Sequence, residues 1–275
     1  MDASAQKTGI EEYLIGILER FKRLSYYART RGWAFIMTWA HRIAGLILVL
    51  YMLFHIFTLS ALYEPAAFAS KMKFVNHFVF SFLEWALSVP VIFHALNGAR
   101  LILYEAFGTR KDAIIIRWVF MLSGIYTLTL ALFMVMGNQE VSAGFFWLIV
   151  AITSAISSTI VYKRLWHTQN GMLWKLQRLS GAFLLPLVSG HMFFMHLNYK
   201  AGHDVDTILA RISSPGIKAL DVAFVILVFF HAGFGLNTIV GDYVEDKRIR
   251  SWLAVLISFI LCVFAYAGAK IVLSI

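Results

Sequence analysis

The chain has 275 residues, of which 60% are hydrophobic and 14% charged, with a mean hydropathy of +0.74. Soluble domains carry about 25% charged residues, so this composition excludes a soluble globular protein and implies an all-α bundle of transmembrane helices. The net charge of +9 sits between apolar runs and reads as membrane topology, with no nucleic-acid partner.

One cysteine, Cys262, rules out an intrachain disulfide, a CxxCH haem attachment and a four-cysteine iron–sulfur cluster. Any redox centre held by this chain alone must use histidine or a non-covalent cofactor.

Residues 1–34 are polar and basic, with amphipathic character over Ile10–Tyr27 that suits a membrane surface. No cleavable signal is expected, because the polar stretch before the first apolar run is too long. A spanning helix takes about 20 apolar residues. Seven candidates follow: Phe35–Leu62, Phe78–Phe107, Ile114–Met136, Phe145–Tyr162, Trp174–Leu197, Gly216–Val240 and Trp252–Leu273. The fourth is the shortest and carries Thr153, Ser154, Ser157, Ser158 and Thr159, small polar residues that allow close helix packing.

Sixteen of the 24 Lys and Arg fall on one side of these spans. They include Lys7, Arg20, Lys22, Arg23, Arg29, Arg31, Arg110, Lys111, Arg117, Lys163, Arg178 and Arg248. The other side has six: Lys71, Lys73, Lys200, Arg211, Lys218 and Lys270. By the positive-inside rule the N-terminus is cytoplasmic and the C-terminus outside.

A parallel internal repeat runs through the chain. Arg42 and Gly45 in HRIAG recur as Arg178 and Gly181 in QRLSG, at an offset of 136, and His55 recurs as His191 at the same offset. His94 and Gly98 in FHALNG recur as His231 and Gly235 in FHAGFG, at 137. The chain divides accordingly into residues 1–34, a first repeat at 35–107, a helix pair at 108–171 and a second repeat with the last helix at 172–275.

An intramembrane histidine is costly and marks a functional site by default. Gly98 and Gly235 lie four residues after His94 and His231, on the same helical face, and leave room there for a flat group. Depth sorts the four histidines into pairs. His55 and His191 come late in outward-going helices, and His94 and His231 late in inward-going ones. His55 with His191 would hold an outer haem b, and His94 with His231 an inner one.

The remaining histidines read more plainly. His196 is turned away from His191, while His77, His167 and His203 fall in loops and should be solvated. His41 is expected at a helix start, where it meets a haem propionate or snorkels to the interface. Arg42, Arg100 and Arg178 are either interfacial anchors or contacts to a propionate or quinone.

HRIAG, FHALNGAR, QRLSG with His191 ten residues on, and FHAGFGLNTIVGDYVED resemble the membrane-anchor cytochrome b of succinate dehydrogenase and fumarate reductase, over about residues 35–107 and 172–273. The resemblance implies four haem ligands at His55, His94, His191 and His231. It implies flavoprotein and iron–sulfur partners docked on the cytoplasmic face, a complex able to form a higher oligomer, and a multi-pass location in a bacterial or archaeal cytoplasmic membrane. It also implies exchange with menaquinone or ubiquinone. An inner pocket would use Thr38, Arg42, Asp242 and Tyr243. An outer pocket would use Glu84, about 15 Å outward of His94, which could carry protons or simply form a packing hydrogen bond.

Single-chain anchors of this type usually span five times, and this chain is expected to span seven. Either Ile114–Tyr162 is an inserted pair, or two three-helix anchor subunits are joined by one extra helix. Two rival functions stay open. One is the dihaem cytochrome b of a hydrogenase or formate dehydrogenase. The other is a haem-free transporter with parallel repeats, for which Pro90 and Pro186 would mark broken helices.

Overall fold

The computed structural model describes residues 9–20, 25–109, 111–139 and 141–275. Their helices are α1 (Gly9–Leu18), α2 (Ser25–Leu59), α3 (Pro65–Val75), α4 (Phe78–Phe107), α5 (Asp112–Met136), α6 (Ala143–Leu165), α7 (Met172–Leu197), α8 (Lys200–His203), α9 (Val205–Ile212), α10 (Pro215–Tyr243) and α11 (Lys247–Ser274), with a 3-10 turn at Ser60–Tyr63. Among the described residues, seven helices are long and apolar enough to cross a membrane: α2 from Gly32 onward, α4, α5, α6, α7, α10 and α11. These are the seven spans expected from the apolar runs. Pro90 and Pro186 lie inside α4 and α7, and both helices continue through them.

The amphipathic segment expected over Ile10–Tyr27 is described in part. Gly9–Leu18 is helical and packs Ile15 against Ile36, whereas residues 21–24 lie outside the described residues. So do Lys7, Lys22, Arg23 and Arg110, and the side chains of Arg29 and Arg31. Gly32 interrupts α2 with φ 52° and ψ −140°, a backbone state that favours glycine. A Cβ there would also lie 2.6 Å from Glu11 Oε1.

Four helices close a ring. α2 packs on α4, α4 on α7, α7 on α10, and α10 back on α2, which leaves α2–α7 and α4–α10 as its diagonals. α5 lies against α4 and α11 against α10. These two flanking helices correspond: α5 begins at Asp112 and α11 at Lys247, close to the offset of the repeat. α6 has no such counterpart and packs chiefly on α7. At one end, α3 and α9 bury Phe68, Met72, Ile208 and Ile212 against the tips of α2, α10 and α11.

The small residues of α6 act as their type suggests. Ser154 is fully buried, and Ser158 Oγ donates to the Leu179 carbonyl at 3.3 Å. Thr153 instead bonds back to its own helix. Among the glycines of α6 and α7 the tightest is Gly190, where a Cβ would sit 2.7 Å from Val150 Cγ2. Valine is stiff at χ1, so α6 would have to move. Gly190→Ala should therefore cost about 1–3 kcal/mol and lower the melting temperature in detergent. Gly124→Ala, where a Cβ meets nothing within 4 Å, should leave that temperature unchanged or slightly raised.

Candidate functional site

Each diagonal of the ring carries one histidine pair. His94 of α4 and His231 of α10 have ring centroids 6.2 Å apart and planes at 81°. His55 of α2 and His191 of α7 are 6.3 Å apart at 84°. These are the partners that depth along the sequence predicted. Two metal–imidazole bonds of about 2 Å on opposite sides of one ion place ring centroids roughly 6 Å apart. Each pair is thus spaced to take one metal between its rings. Among the described residues, no three or more His, Cys, Asp or Glu side chains converge as a metal cluster. The pairs suit a metal that brings its remaining ligands with it, as haem does.

The surroundings of the first pair fix which ring nitrogens are free. His94 Nδ1 lies 3.1 Å from the His41 carbonyl, an acceptor only, so this nitrogen carries the hydrogen. Ser180 Oγ donates to the Gln177 carbonyl at 2.9 Å and lies 3.2 Å from His231 Nδ1. Its one hydrogen is committed, so it accepts from His231 Nδ1–H. Both histidines therefore present an unprotonated Nε2. The Gln177 amide Nε2 is 3.4 Å from His231 Nε2, a long and weak contact. In the other pair, His191 Nδ1 is buried with no hydrogen-bond partner among the described residues, a costly state unless something binds there.

The glycines divide differently from expectation. A Cβ at Gly45 would lie 3.1 Å from His94 Cε1, and one at Gly181 would lie 3.2 Å from His231 Cε1. Each of these glycines therefore seats a histidine of its own repeat against the neighbouring helix. A Cβ at Gly98 would meet only His41 Cε1 at 3.7 Å, and one at Gly235 nothing within 4 Å. Those faces are open enough for a flat group. His41 is not at a helix start, because α2 begins at Ser25. Its ring stacks on His94, with centroids 3.9 Å apart and planes at 7°.

The arginines form a crossed pair of clasps between the repeats. Arg42 binds the Asp242 carboxylate and donates to the Tyr243 hydroxyl, and its guanidinium lies 5.3 Å from that ring's centre. Arg178 makes a two-pronged bridge to Glu105 at 2.6 and 2.7 Å and lies 4.7 Å from the Trp174 ring centre. Arg100 is buried and bonds Asn97 at 2.8 Å and Asp112 at 3.1 Å. Three of the four expected inner-pocket residues, Arg42, Asp242 and Tyr243, thus meet directly. Thr38, one turn before Arg42, donates back to the Ala34 carbonyl at 2.9 Å.

Glu105 was missed from sequence, although a signal existed. It follows His94 by eleven residues, as Asp242 follows His231, so the carboxylates repeat at 137 as the histidines do.

At the opposite end, Glu84 Oε2 lies 3.7 Å from His203 Nε2. His203 was expected to be a solvated loop residue. It belongs instead to α8, stacks on Tyr199 with centroids 4.0 Å apart, and its side chain is 15% exposed. The reason is tertiary, since the α7–α10 connection folds onto the bundle end. His196 Nδ1 donates to the Met192 carbonyl at 2.8 Å, while His77 and His167 are exposed.

Burial pushes the His203 pKa down, but the nearby Glu84 carboxylate and the hydrogen bond to the Tyr199 carbonyl outweigh it, and the net shift is upward from 6.5. A raised folded-state pKa means the pair's stabilisation is complete below 6.5 and is lost as pH rises through the higher value. Faster amide exchange at 199–204 is expected on the alkaline side, with ring NMR titrating above 6.5. Titration below 6.5 would contradict the pairing.

Comparison with known proteins agrees with these features. The family described as succinate dehydrogenase/fumarate reductase transmembrane subunit matches residues 22–133 and 160–265. The succinate dehydrogenase hydrophobic membrane anchor subunit of Archaeoglobus fulgidus is 26% identical over 95 residues, which make up 81% of that protein and 34% of this chain. No solved structure matches. The hydrogenase-type and transporter alternatives gain no support from these matches. The chain belongs to the succinate dehydrogenase/fumarate reductase transmembrane-subunit family, as a multi-pass membrane anchor subunit.

Proposed function

We propose that this chain is the dihaem, quinone-reacting anchor of a succinate:quinone oxidoreductase. It would pass electrons between an iron–sulfur subunit on its cytoplasmic face and quinone in the membrane, with the dicarboxylate chemistry on a flavoprotein partner. The observation that carries this reading is the pair of opposed histidines on each diagonal of one helix ring, at 6.2 and 6.3 Å.

His94 with His231, and His55 with His191, are the residues that would hold two b haems. Haem supplies one-electron redox chemistry tuned by its axial ligands and its surroundings. The His94 ring is level with His41, and His55 lies fourteen residues further along α2. The two pairs are therefore roughly 20 Å apart along the bundle, a stepwise path through an apolar core. The excess of basic residues at the Arg178 end supports a cytoplasmic N-terminus.

Quinone exchange needs hydrogen-bond donors for two oxygens and a route for protons. Because the Tyr243 oxygen accepts from Arg42, its own hydrogen is free to donate outward. Asp242 holds the guanidinium in place beside it. Thr38 has its hydrogen committed to Ala34, which leaves its lone pairs to accept from a quinol hydroxyl. Glu84 at the other end, paired with His203, is the residue for an outer quinone or proton route.

The organisation follows a fusion more closely than an insertion. The two matched segments cover α2, α4 and α5, then α7, α10 and most of α11. That leaves most of α6 as the joining helix, which restores orientation between two three-helix halves.

The complex, purified from cells supplied with haem, should show two b haems per chain in a pyridine haemochrome assay. His55→Ala and His94→Ala should each remove one. A ratio near one would remove the outer pair from the scheme, and a ratio near zero in folded protein would refute it.

A further inference from the structure

We propose that Ser180 is a positioning residue that makes the two ligands of the inner pair chemically unequal. The inference rests on the reading of His94 and His231 as axial ligands. The repeat places His41 opposite Gln177, Gly45 opposite Gly181, and Ala44 opposite Ser180. Both histidines are seated the same way, with Cε1 against the glycine of the neighbouring helix at 3.1 and 3.2 Å from a built Cβ. Each also meets the backbone of the matching residue, His41 for His94 and Gln177 for His231, but His231 has a second partner. His94 Nδ1–H donates to the His41 backbone carbonyl at 3.1 Å. His231 Nδ1–H meets the Ser180 hydroxyl at 3.2 Å, where the first repeat has only the methyl of Ala44.

Ser180 is 3% exposed and its only hydrogen is spent on the Gln177 carbonyl. It can therefore act on His231 only as an acceptor. An acceptor at the distal ring nitrogen orients a metal-ligating imidazole and raises its basicity. A more basic axial ligand favours the oxidised metal, so the hydroxyl holds the potential of the inner centre down. Among the described residues the outer pair has no such acceptor at His191, whose Nδ1 has no hydrogen-bond partner there, so the effect falls on one centre. Such a device lets two centres with the same ligands differ in potential.

The test is a redox titration of the purified complex with haem content measured on each sample. Ser180→Ala should retain two haems and shift the midpoint of one of them upward, leaving the other in place. The electron paramagnetic resonance signal of that same haem should move with it. Ser180→Thr, which keeps the hydroxyl, should restore both the midpoint and the signal. Unchanged midpoints in the alanine variant with both haems present would overturn the assignment, as would an equal shift of both haems. A midpoint that fails to return with threonine while haem content is normal would also overturn it. Absence of haem from the wild-type complex would overturn this assignment together with the dihaem reading.

Discussion

The close approach of α2, α4, α7 and α10 around one axis is the constraint on which the rest depends. In lipid the hydrophobic effect does not draw helices together, so association relies on small residues and interior polar contacts. Gly45 and Gly181 supply the closeness, because a side chain at either position would press on His94 or His231. With both in place, the α4–α10 diagonal brings two imidazoles to 6.2 Å with their planes crossed at 81°. The α2–α7 diagonal repeats the arrangement farther along, with His191 set among Trp147 and Phe224. α5, α6 and α11 then cover the ring on the lipid side, and Gly190 lets α6 close against α7.

Charge inside such a bundle has to be matched, and the repeat does this crosswise. The arginine of each half binds the carboxylate of the other, Arg42 with Asp242 and Arg178 with Glu105. Removing one partner of a buried pair costs about 3–5 kcal/mol, whereas exposed pairs contribute about 0–1. With side-chain exposures of 22–25% at Arg178 and Glu105, this clasp lies between those limits. Because each bridge joins one repeat to the other, the pair also holds the two halves in register. The two clasps are not equivalent. Arg178 is held by both carboxylate oxygens of Glu105, while Arg42 shares itself between Asp242 and a tyrosine hydroxyl. The second arrangement leaves the Tyr243 hydroxyl hydrogen uncommitted to Arg42, the donor on which the proposed quinone contact rests.

Duplication provides a symmetric frame, and departures from symmetry mark where the halves divide their labour. His41 stacks over His94 where Gln177 reaches toward His231. Ala44 gives way to Ser180, and Tyr243 stands where the first repeat has Ala106. The same backbone thus holds two different sets of polar contacts, at little cost to packing, because each exchange is local to one side chain.

Composition and periodicity alone determined the membrane class, the seven spans and their order, since a run of about 20 apolar residues has few alternatives in lipid. The histidine partners were legible too, because depth along a helix follows directly from residue count. Arg42, Asp242 and Tyr243 were legible only through resemblance, as nothing in their spacing says that α2 and α10 touch. Glu105 carried the same offset as Asp242 and still went unnoticed, because a carboxylate near a helix end is ordinary until its arginine is seen.

What only the tertiary structure decided was contact between elements far apart in sequence. The ring order of the helices is one such case, and the stacking of His41 on His94 and the burial of His203 beside Glu84 are others. So are the hydroxyl of Ser180 at His231 and the correspondence of α5 with α11. Local sequence sets which face a residue occupies on its own helix. Which neighbour that face meets depends on how all the helices pack at once.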